Sequence, residues 1–91
     1  MKIYKISNEA DFALICERIG VRNAGRAIMQ KKSRLNFFYL KDLRAPAANI
    51  LKQDALSIGA ELACNEGVIL GRDGTDAVLI ANDRQIEVLA Q

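Results

Sequence analysis

Pro46 and Gly59 bracket the stretch that most restricts how this chain can fold, Leu43 to Glu61 (LRAPAANILKQDALSIGAE). Proline lacks an N–H and has a fixed φ, which suits the first turn of a helix. Glycine supplies a left-handed stop after the last apolar position. Between them Ala47, Ala48, Leu51, Ala55 and Ile58 fall on one side at helical spacing, with Ile50 at its edge. Asn49, Lys52, Gln53 and Ser57 fall on the other. Alanines on a buried face let a strand backbone come close. The spacing predicts an amphipathic helix over 46–58 packed on a sheet.

The chain has 91 residues, the size of one domain. Strand patterns flank the helix. Residues 34–40 alternate Leu35, Phe37 and Tyr39 with Asn36, Phe38 and Leu40, apolar and aromatic on both sides, which suits a central strand covered on two faces. Ala60–Cys64 and Ala77–Ala81 read as further strands, Val68–Leu70 as a short extended piece, and GRDGT at 71–75 as a turn. Lys2–Ser7 reads as a first strand, although its alternation is broken. Asn8, with Glu9 and Asp11 behind it, reads as the cap of a helix carrying Phe12, Ile15, Cys16 and Ile19, stopped at Gly20. Asn23 reads as the cap of a second helix, with Ala27, Ile28 and Met29 inward. Asn82 and Gln85 fit a capping box for a last helix bearing Ile86 and Leu89. That helix runs into Gln91 without a stop signal, so the chain reads as cut from a longer protein. The fold expected is a single small α/β domain, a mixed, partly parallel sheet of about four strands packed with about four helices.

Composition narrows the chemistry. There is no histidine, which removes the usual general base and the commonest metal ligand. Two isolated cysteines, Cys16 and Cys64, cannot hold zinc by themselves and read as buried free thiols. No apolar run approaches the length of a membrane helix, and no signal peptide is evident, so the expected compartment is the cytoplasm. A net charge of +2 is too small to imply a polyanion partner. Arg22, Arg26, Lys31, Lys32 and Arg34 cluster without an acidic residue among them. A solvated helix face explains them better than nucleic-acid binding, because the aromatics that follow sit in an apolar strand.

Two constellations could bind something. At the mouth of the 46–58 helix, Arg44 and the free N–H groups of Ala47 and Ala48 could face an anion. One turn on, Asn49, Lys52, Gln53 and Ser57 could form a docking face; the rival reading is a solvated surface. Asp54 lies at the edge of the apolar stripe, and its head either finds a partner or reaches water. GRDGT lacks the lysine and spacing of a phosphate-binding loop.

RAPAANILKQDALSIGAEL, residues 44–62, resembles a motif in the N-terminal extension of bacterial dihydropteroate synthases, nearest the epsilonproteobacterial members. The likeness reaches out to AGRAIMQKK at 24–32 and LIAND at 79–83. The resemblance implies a parent transferase of folate synthesis that joins 6-hydroxymethyl-dihydropterin diphosphate to para-aminobenzoate. That chemistry, with its magnesium, belongs to a (β/α)8 barrel whose motifs do not occur in these 91 residues. The resemblance therefore assigns no catalytic position and no cofactor here. The residues it shares (Pro46, Ala47, Ala48, Asn49, Lys52, Gln53 and Ser57) are those expected to dock. The expected partner is the family's own barrel or a second subunit, a homodimer included. The competing expectation is a sensor of a small anion or pterin at the helix mouth with Arg44.

Overall fold

The computed structural model describes residues 1–65, 67 and 74–91. Its described elements are α1 (Phe12–Ile19), α2 (Asn23–Lys32), β1 (Leu35–Leu43), α3 (Ala45–Ser57), β2 (Glu61–Cys64), β3 (Thr75–Asn82) and α4 (Asp83–Leu89). The expected extended piece at Val68–Leu70 and most of the GRDGT turn lie outside the described residues.

The three strands form one antiparallel sheet in the order β1-β3-β2. This corrects the mixed, partly parallel sheet of about four strands. The reason is topological. β1, α3 and β2 form a strand–helix–strand crossover, so β1 and β2 run in the same direction. β3 then inserts between them and pairs antiparallel with both. The crossover is split, and its two parallel strands are not neighbours in the sheet.

One face of the sheet carries the core. Leu62 of β2 and Ala77, Leu79 and Ala81 of β3 pack against Ala55 of α3, with Leu51, Ile58, Ile86 and Leu89 around them. Ala48 and Ala55 of α3 are both fully buried, so small side chains do bring this helix close to the strands. Pro46 lies in its first turn, and Gly59, at φ +81°, completes its exit in the left-handed conformation that a side chain resists. α4 begins with the expected capping box. Asn82 Oδ1 accepts the Gln85 amide and Gln85 Oε1 accepts the Asn82 amide, both at 2.8 Å.

Five expectations fail at the N-terminal end and in β1. Lys2–Ser7 is no strand; it lies exposed, outside the sheet. α1 starts later than expected and is capped by Asp11, whose carboxylate accepts the Leu14 amide at 3.1 Å, and not by Asn8. On α2, Arg22 and not Asn23 stands at the cap, and Ala27, Ile28 and Met29 are exposed. Three consecutive helical residues span too wide an arc to face one core. β1 is an edge strand, not a central one.

α1 packs on α2 and α2 on α4, leaving the N-terminal third as an arm. The radius of gyration is 16.8 Å, where a compact chain of this length measures about 12 Å.

Candidate functional site

α3 was the expected site, and its residues divide by what they touch. Its outward ridge is Pro46, Ile50, Gln53 and Ser57, all exposed, with Asp54 and Leu56 beside them. Ile50 is 62% exposed, further out than the edge position its sequence angle implies. Ala47 is exposed too, so the buried side is narrower: Ala45, Ala48 and Ala55, with Leu51 and Ile58 half-buried. Asp54 lies in water, and its carbonyl accepts the Ser57 hydroxyl at 2.7 Å.

Lys52 does not join the outward ridge. Its Nζ donates to the Leu62 carbonyl at 3.0 Å and lies 3.4 Å from Glu61 Oε1. It ties α3 to β2. The Leu62 amide at 2.9 Å, and then Lys52, hold the Glu61 carboxyl below its usual range. Asn49 is half-buried, between the ridge and the core side. The structure therefore brings Gln53 and Ser57 together with Ile50 on one surface, and directs Lys52 to a fastening role.

In the first turn of α3 the Ala48 amide donates to the Arg44 carbonyl at 2.8 Å, and Pro46 has no amide to offer. Arg44 sits at the cap in extended conformation with its side chain exposed and no side-chain capping bond. Ala45 is buried. Gly74 lies so near that a Cβ there would meet the Leu43 carbonyl oxygen at 2.8 Å.

The second face of the sheet was not foreseen as a site. Leu35, Phe37 and Tyr39 of β1 point away from the helices and are 60%, 69% and 64% exposed. Their neighbours across β3, Ile80 and Val78, are half-buried. The signal was present in the alternation of residues 35–40, but reading the strand as central gave that face a cover. Beside it, a concavity of about 1210 Å³ opens between residues 6–15 of the arm and Arg34–Phe37.

Among the described residues no group of three or more His, Cys, Asp or Glu side chains stands together to hold a metal ion. Cys16 is buried and Cys64 half-buried, both as free thiols. Among the described residues no helix is long and apolar enough to cross a membrane. No protein-family model, curated protein or solved structure matches the chain.

Proposed function

We propose that this chain is a non-catalytic docking domain, the N-terminal extension of a cytoplasmic dihydropteroate synthase of the epsilonproteobacterial type. The family reading rests on the likeness of residues 44–62 and its extensions. The docking reading rests on one observation: Ile50 stands exposed between Pro46 and Gln53 on a helix whose opposite side is fully buried at Ala48 and Ala55. An apolar side chain between a proline and an amide, on a rigid helix, offers a contact at little cost in lost side-chain freedom. The partner in this reading is the catalytic barrel of the family, which alone carries the joining of the pterin diphosphate to para-aminobenzoate and its magnesium.

The test is to join residues 1–91 to such a barrel and compare it with variants carrying Ile50→Lys, or Asn49→Ala with Gln53→Ala. Weaker assembly, lower stability of the joined protein or altered turnover is the expected result. If all three properties stay unchanged, α3 is not a docking surface.

A further inference from the structure

We infer that β1 is the contact between two copies of this chain, pairing antiparallel with its own symmetry mate across a twofold axis at Phe37. The Asp83 amide donates to the Arg34 carbonyl at 3.1 Å, one step ahead of the Leu35↔Asn82 register. In an antiparallel ladder a residue turns both its N–H and its C=O to one neighbour, and the next residue turns both to the other side. Arg34, Asn36, Phe38 and Leu40 therefore give their backbone groups to β3 and its continuation. Leu35, Phe37 and Tyr39 aim theirs at the edge that no described strand occupies.

Over Leu35 to Leu40 that edge lacks the proline and charges that guard against pairing, and Lys41 and Asp42 come only beyond it. The pairable stretch stops where the register shifts between Leu40 and Leu43 and Asp42 turns left-handed at φ +54°. With Phe37 facing its counterpart, Leu35 meets Tyr39 of the second copy, and Tyr39 meets Leu35. Each facing pair exchanges both its backbone bonds, and the aromatic and aliphatic side chains meet on one face.

The exposed surface is large enough for a second copy to be the occupant. The chain exposes 7188 Å². A folded monomer of its 10.0 kDa mass exposes about 5,200 Å², so the excess is roughly 2,000 Å². Obligate homodimers bury roughly 1,000–2,500 Å² on each subunit. The concavity between the arm and Arg34–Phe37 gives the incoming strand room, with Ile6, Phe12 and Ile15 on its far wall. Pairing makes β1 an inner strand of one sheet built from the described strands of both copies, and sets the two outer apolar faces side by side. This contact lies apart from α3, so its failure leaves the docking reading standing, and the reverse holds too.

The test is light-scattering mass measurement on the 91-residue chain, with amide hydrogen exchange followed residue by residue. The expected result is twice the 10.0 kDa mass, with slow exchange at the Leu35, Phe37 and Tyr39 amides. Phe37→Lys returns the mass to that of one chain with an unchanged far-ultraviolet circular dichroism spectrum. A wild-type mass of one chain, meaning that the barrel or another protein covers this edge, overturns the inference. So does a dimer whose Leu35, Phe37 and Tyr39 amides exchange at unprotected rates, or one that Phe37→Lys leaves intact. Should Phe37→Lys unfold the chain, the wild-type exchange pattern decides alone.

Discussion

The Tyr39 hydroxyl donates to one oxygen of the Asp76 carboxylate, and the other oxygen accepts the Asp42 amide at 3.0 Å. Asp76 thus joins the outer face of β1 to the irregularity that ends it. The Tyr39 bond, and then the Asp42 amide, hold the Asp76 carboxyl below its ordinary 3.8, against a smaller opposing effect of burial. The same carboxylate, by accepting the hydroxyl proton, raises Tyr39 above its ordinary 10.0.

These shifts set a pH window with signs that can be worked out. Asp76 binds its proton less readily folded than unfolded, so its contribution is complete above its ordinary value and is lost as pH falls through the folded value. Tyr39 holds its proton more tightly folded, so its contribution is complete below its ordinary value and is lost as pH rises through the raised one. The pair's contribution to the melting midpoint should be constant between those limits and fall at both ends. Asp76→Asn should reduce the acid fall without abolishing it, since Glu61 and Glu87 are also held low, Glu61 first by the Leu62 amide and Glu87 first by Lys31. Tyr39→Phe should blunt the alkaline fall. Thermal melts of wild type and both variants across pH check this; superimposable profiles would exclude the pair as a determinant.

Asp42 holds a backbone conformation that costs a side chain roughly 1 kcal/mol, less for aspartate than for most residues. Asp42→Gly should therefore leave stability unchanged or raise it slightly. Asp42→Val, β-branched and without a local acceptor, should lower it by about 1–2 kcal/mol. Urea unfolding of the two variants gives the comparison. If valine is tolerated as well as glycine, the irregularity at Leu40–Leu43 carries no strain.

What could be read in the chain was what neighbouring residues decide among themselves. Pro46 and Gly59 mark α3, and Asn82 with Gln85 marks α4, because each signal acts within one helical turn. Strand direction was harder. It depends on β3, which arrives more than ten residues after β2 and inserts between β2 and β1. The two-sided apolar pattern of 35–40 says that both faces want cover, not which molecule covers them. On α3, Lys52 was legible as polar but not as a fastening, since the Leu62 carbonyl it reaches is fixed only when β2 folds back.

Among the described residues Leu62 is the largest side chain that is fully buried, and it stands where β2, β3 and α3 meet. Leu62→Ala should cost about 2–5 kcal/mol, through lost burial and the cavity left behind. In a domain this small that is most of the stability. Ala55→Leu tests the same contact from the opposite side. Ala55 is fully buried against the strands, and the added bulk should cost about 1–3 kcal/mol. Denaturant midpoints measure both. A well-tolerated leucine at 55 would mean that α3 stands further from the sheet than its alanines indicate.

Asn82 joins two structures at one residue, as the last position of β3 and the cap of α4. Its side chain accepts the Gln85 amide, while Gln85 returns a bond to the Asn82 amide and its Nε2 donates to the Ile58 carbonyl at 3.1 Å. The exit of α3 and the start of α4 are thereby tied through one glutamine. Asn82→Ala removes the cap and should cost about 1 kcal/mol, lowering the melting midpoint by roughly 4–8 °C for a domain of this size. Gln85→Ala removes the reciprocal bond and the link to Ile58 together, so it should cost at least as much. Gln85→Glu keeps the acceptor toward Asn82 but loses the amide donor, and at neutral pH it sets a carboxylate against the Ile58 carbonyl. It should therefore fall on the destabilised side and recover as pH is lowered and the carboxyl takes up its proton. A Gln85→Glu variant as stable as wild type at neutral pH would show that the link to Ile58 does not hold the two helix ends together.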